Sequence, residues 1–133
     1  MAGNSVSSSV LPMMDYHSSA ASGSAYIRSE MVPIFRLDSI AQECLKKSHR
    51  PFLKVDTQGF EWQVLDGATK TMPHLRGVLC ELSLVSLYEG QHLWLEIIER
   101  LEGEGFTLWC VQKGFTDPRD GRALQLDAVF FRL

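Results

Sequence analysis

The sequence predicts an α/β domain whose mostly parallel sheet closes with an antiparallel hairpin. Three observations predict it. From Met31 onward, short apolar runs alternate with longer amphipathic stretches. "GVLCELSL" (77 to 84) is a near-continuous apolar run, the texture of a strand covered on both faces. Two last apolar runs, "FTLWCV" (106 to 111) and "LQLDAVFFRL" (124 to 133), flank a loop containing "DPRDG", whose Pro and Gly are turn signals.

The elements follow in order. Residues 1 to 30 are rich in Ser and Ala with few charges, the composition of a flexible tail, and they lack the basic start and apolar stretch of a signal peptide. "MVPIFRL" (31 to 37) reads as a strand, and Asp38 is placed to cap a helix with Ile40, Cys44 and Leu45 on its inner face. "PFLKV" (51 to 55) reads as a buried strand. From Phe60 to about Thr71, Val64 and Ala68 lie four apart beside Trp62, Leu65 and Thr69, which predicts a helix ended by Pro73. Leu93, Ile97 and Leu101, with Trp94 and Ile98, form the most regular helical stripe, stopped by Gly103 or Gly105. The division expected is residues 1–30 as a Ser-rich loop or tail and 31–133 as the folded part.

Composition limits the partners. A chain of 133 residues with 45% apolar and 22% charged content supports one core. At a net charge of −3, with Lys and Arg scattered, no basic stripe exists for nucleic acid. No apolar run reaches the ~18 residues of a membrane span. Cys44, Cys80 and Cys110 form an odd set without a C-x-x-C pair, and they read as small reduced core residues in a cytoplasmic setting. His17, His49, His74 and His92 stand singly, read as surface residues and offer no paired metal spacing. A dinucleotide glycine fingerprint, a phosphate-binding lysine loop and a G-x-S-x-G elbow are all absent from the sequence.

What remains is acidic. Asp56 and Glu81 lie near the carboxyl ends of two strands, where open α/β sheets gather ligands, and Glu61 opens the helix after Asp56. Local physics leaves Asp56 evenly divided between reagent and cap, because it could accept bonds from the N–H groups of Gln58 or Gly59. Glu81 is the stronger clue, since a carboxylate inside "VLCELSL" is costly to bury unless paired. The three carboxylates suit a hard cation only weakly, so no metal is assigned.

"LDSI", "FLKVDTQGFEWQVLDGA", "GVLCELSLVSLYEGQ" and "LQLDAVFFRL" together resemble the C-terminal half of an FkbM-type methyltransferase. The family motif K-x-D-x-E-G-x-E-x-x-V-L-x-G-A is matched by Lys54, Asp56, Gly59, Glu61, Val64, Leu65, Gly67 and Ala68, while Gln58 stands where the family carries an acid. The Ser-rich start resembles the loop after the third sheet strand. The resemblance implies part of a class I, Rossmann-like sheet with the spatial order 51–56, 77–82, 124–132, 106–111, and with the strands bearing the glycine-rich cofactor motif missing. It implies S-adenosylmethionine as cofactor and a small molecule with a hydroxyl as acceptor. Asp56 and Glu81 become the catalytic candidates, Gln58 and Gly59 the cofactor-binding ones, and Glu61 and Tyr88 the substrate-binding ones. It also leaves the 51–56 strand at a sheet edge, where self-association is expected. A non-catalytic module that associates through that edge is the alternative expectation.

Overall fold

The computed structural model describes residues 1–133. Four strands form one mixed sheet: β1 (Phe52–Val55), β2 (Gly77–Ser83), β3 (Thr107–Lys113) and β4 (Gln125–Phe131). Their order is β1-β2-β4-β3, the order the resemblance implies. β1 and β2 are parallel, and β4 is antiparallel to both neighbours, as a terminal hairpin requires.

The helices are short except the last. In chain order they are α1 (Asp15–Ala20), α2 (Leu37–Ile40), α3 (Gln42–Lys47), α4 (Glu61–Asp66), a single 3₁₀ turn (Met72–His74) and α5 (Trp94–Gly103). α5 follows the predicted stripe, burying Ile97 and Leu101. It ends with Gly105 at φ 86° and bonds from Phe106 N to Leu101 O and Gly105 N to Glu102 O, the paired geometry of a glycine-terminated helix. No helix is long and apolar enough to cross a membrane.

One core fills a single face of the sheet. Val55, Val78, Cys80, Leu82, Ala128 and Phe130 point into it and meet Leu65, Ala68, Met72, Ile97, Leu101 and Phe106 from the helical layer. β2 is therefore covered by helices on one face only, not on both. The opposite face carries a row of aromatic rings, with Phe52 and Trp109 each about 6 Å from Phe131 (6.0 and 5.9 Å between centroids). β1 is likewise not a buried strand: Val55 alone is buried, and Phe52 and Lys54 face solvent.

Several expectations fail for tertiary reasons. Residues 31–36 form no strand, and Met31, Val32, Ile34 and Phe35 are all exposed. An apolar run becomes a strand only beside a partner, and Pro33 removes one backbone donor. Asp38 caps no helix of its own. Its N–H donates to Gly67 O, and its carboxylate accepts from Lys70 N, Thr71 N, Thr69 Oγ1 and Thr71 Oγ1 at 2.8 to 3.2 Å. That docking diverts the Gly67 carbonyl from the helical ladder, so α4 stops at Asp66 and Pro73 sits inside the 3₁₀ turn. Ile40 and Cys44 are exposed, and only Leu45 packs toward the core. Cys80 is buried, whereas Cys110 is exposed on β3, beside a register shift at Trp109.

The Ser-rich first thirty residues carry α1 and two isolated bridges, Ala2 with Tyr26 and Met13 with Tyr88. His17 is not a surface residue. It is 2% exposed and packs edge-on against Tyr88 with ring centroids 5.1 Å apart. Ala20, Leu87, Tyr88 and Leu124 form a second small core there. This cluster fixes the N-terminal segment over the loop that leaves β2.

Candidate active site

β1 and β2 run in parallel, so their carboxyl ends deliver Asp56 and Glu81 to one rim. Asp56 follows β1 and is well exposed. Its Oδ2 accepts from Lys54 Nζ at 3.1 Å and its Oδ1 from Gln58 Nε2 at 3.0 Å. It takes no bond from the backbone of the turn. Glu61 does that instead: its Oε1 accepts from Thr57 N at 3.0 Å, Gly59 N at 3.1 Å and Thr57 Oγ1 at 3.2 Å. The cap is Glu61, and Asp56 is left facing outward.

Glu81 lies on the face away from the main core, opposite Asp127 of β4. Like charges directly across a ladder repel. Burial, reinforced by the charges of Asp56, Glu61 and Asp127, pushes the Glu81 carboxyl up to about 8. Two amides soften this environment: Gln58 Nε2 and Gln125 Nε2 both donate to Glu81 Oε2, at 2.9 and 2.7 Å. Gln58 thus touches both carboxylates.

The turn between β1 and α4 is shaped for that contact. Gln58 has φ 53° and Gly59 has φ 95°. Gly59 is required twice over: a Cβ there meets Tyr88 Cδ2 at 2.9 Å, and the positive φ strains any other residue. Tyr88 is fully buried, and its hydroxyl donates to Gln58 Oε1 at 3.0 Å and toward Ser7 O at 3.2 Å. Burial raises its phenol well above the ordinary range, so the hydroxyl stays protonated. Gly59→Ala is expected to cost roughly 2 to 4 kcal/mol, because the clash is with a buried ring and the backbone is strained as well. A thermal melt checks this; an unchanged midpoint removes the close approach as a constraint.

The sequence-predicted residues therefore separate into two groups. Asp56 and Glu81 present carboxylate at the rim. Glu61 and Tyr88, expected to hold substrate, are 5% and 0% exposed and serve the turn. Of Gln58 and Gly59, expected to hold a cofactor, the Gln58 side-chain amide donates to Asp56 and Glu81 and the Gly59 N–H to Glu61, while the Gln58 backbone N–H makes no hydrogen bond. No group of three or more His, Cys, Asp or Glu is arranged to hold a metal ion. Sequence reasoning missed Gln125 and Asp127, although the alternation in "LQLDAV" places both on the face of Glu81. It also missed Gln91, whose Oε1 accepts from Leu87 N and Tyr88 N and so fixes the loop carrying Tyr88.

Among the curated proteins and the solved structures, nothing matches this chain. A family model described as the methyltransferase FkbM domain matches residues 2–108. The match runs from the Ser-rich start through α1, the Asp56 turn, β2 and α5 to the beginning of β3. It takes in both carboxylates together with Lys54 and Gln58, while Gln125, the second donor to Glu81, lies beyond it. By that match, which spans most of its length, the chain belongs to the FkbM methyltransferase domain family.

Proposed function

We propose that the protein is an S-adenosylmethionine-dependent methyltransferase of Rossmann-like class, acting on a hydroxyl oxygen of a sugar or other small molecule. Family membership supports methyl transfer. The observation that carries the oxygen acceptor is the carboxylate pair at the rim, with Asp56 Oδ2 3.1 Å from the Lys54 cation and still open to solvent. An alcohol oxygen becomes a better nucleophile as its proton leaves, and a placed carboxylate takes that proton. Asp56 is the proton acceptor on this reading. Glu81, deeper in the rim, orients the acceptor. When bound, S-adenosylmethionine supplies a methyl group on a positively charged sulfur. Calorimetric titration of the protein with S-adenosylmethionine tests the reading, with saturable binding expected. Absence of binding overturns it.

One observation favours a second reading, that of a non-catalytic module. β1 pairs with β2 alone, which leaves its outer edge open for another strand, and Phe52 on it is 48% exposed. On that reading the protein self-associates in light scattering and binds no cofactor. A monomer that binds S-adenosylmethionine excludes it.

A further inference from the structure

Gln58 is held more completely than any other rim residue, although the proton-accepting reading of Asp56 gives it no task. Its left-handed backbone, φ 53°, costs a non-glycine residue about 1 kcal/mol or more and persists where the surroundings fix it. They fix it from every side. Its carbonyl accepts from Ser9 Oγ at 2.6 Å, its Oε1 accepts from the Tyr88 hydroxyl at 3.0 Å, and its Nε2 donates to Asp56 Oδ1 and Glu81 Oε2 at 3.0 and 2.9 Å. An amide nitrogen has two hydrogens. Both are used, and the carboxylate oxygens of Asp56 and Glu81, as acceptors, place the amide nitrogen on their side and Oε1 toward Tyr88.

We propose that Gln58 is a positioning residue that joins Asp56 and Glu81 into one bridged pair, in which Gln58 and Gln125 together occupy Oε2 of Glu81 and leave Oε1 to hold the pair's proton toward the acceptor. The inference rests on the methyl-transfer reading of Asp56. It adds a division of labour: Glu81 donates a hydrogen bond through Oε1, and Asp56 accepts the acceptor's proton. Two neighbouring carboxylates do not ionise independently, and the first proton goes to the one less able to carry charge. Here that is Glu81. The charged groups around it are Asp56 just after β1, Glu61 at the start of α4 and Asp127 from β4, and burial together with these charges pushes it up to about 8. The one nearby cation, Lys54, is bonded to Asp56 and not to Glu81. No bond in the structure uses Oε1 of Glu81, whereas Oε2 accepts two. Replacing Gln58 by a carboxylate would remove both donors and add a further negative charge.

The test is a carboxyl-carbon NMR titration of Glu81 in the full chain, run beside pH profiles of methyl transfer. In the native protein the expected Glu81 midpoint is about 8. In Gln58→Leu the midpoint rises by about one unit, because a hydrogen bond to the charged form is lost. Turnover falls at least tenfold in that variant with the acceptor KM little changed, and the alkaline limb of the pH profile moves with the NMR midpoint. Tyr88→Phe frees the amide to rotate and shifts Glu81 in the same direction by less. A Glu81 midpoint that neither variant moves overturns the proposal, as does lost turnover with an unshifted pH profile. A shifted midpoint in a protein that transfers no methyl group supports the bridged pair and overturns only the methyl-transfer reading.

Discussion

Asp56→Asn is expected to reduce methyl transfer by roughly 10² to 10⁴-fold, the contribution of a placed proton acceptor, while leaving the melting curve close to that of the native protein. The fold has little stake in the charge. Asp56 is exposed, makes no backbone bond, and its one ion pair, with Lys54, is a surface contact worth about 1 kcal/mol or less. Asn is the informative replacement because its carbonyl oxygen can still accept from Gln58, so the rim keeps its shape and loses its base. Steady-state rates with a hydroxylated acceptor, paired with a thermal melt, read the two effects separately. Full activity in Asp56→Asn removes the residue from the chemistry.

Glu81→Gln is expected to change the pH dependence of stability more than any other rim substitution, with an effect that grows as pH rises above about 4.5. The folded protein holds the Glu81 proton up to about 8 against an ordinary 4.5, so between these values the folded state binds a proton that the unfolded state has released. Stability contributed by this group is therefore complete below about pH 4.5 and falls as pH rises, until it is lost above about pH 8. The swing is on the order of a few kcal/mol. A Gln at this position keeps an oxygen for the two amide donors and has no charge to bury. Denaturation of both proteins at a series of pH values checks this: the native protein weakens as pH rises from about 4.5 to about 8, and Glu81→Gln does not weaken over that window. Parallel pH profiles in the two proteins rule out a buried, proton-holding Glu81.

What was legible in the sequence follows from how local each cause is. The α5 stripe and its glycine stop are written within a dozen residues, and they stand as read. The strand order came from the resemblance, since nothing in the runs 52–55, 77–83 and 125–131 says which lies beside which. Residues 31–36 were misread because an apolar run with Pro33 has strand texture but finds no neighbour. Asp38 was misread because its partners, Lys70 and Thr71, are some thirty residues away and are brought there by the Gly67 crossing. His17 looked like an isolated polar residue in a Ser-rich stretch. Its burial depends on Tyr88 and Phe115, which no local pattern connects to it.

The site was legible at its two acids and opaque in between. Asp56 and Glu81 could be placed because strand ends in α/β sheets have a known use. That Glu61 is the cap, and that Gln58 bridges the pair, depends on a left-handed residue followed by a glycine beneath a buried tyrosine, a backbone shape that spacing does not specify. The departure from the family motif at Gln58 was visible in the sequence, and its consequence needed the geometry. A neutral amide there supplies two donors to two carboxylates.

The central claim is that the Asp56 and Glu81 rim transfers a methyl group to oxygen. It is tested most directly by incubating the protein with isotopically labelled S-adenosylmethionine and a panel of hydroxylated sugars and small molecules, and reading the products by mass spectrometry. The predicted result is a single labelled methyl group on a hydroxyl oxygen, formed by the native protein and lost in Asp56→Asn. Equal transfer by both proteins, or a label found on nitrogen, sulfur or carbon instead, would contradict it.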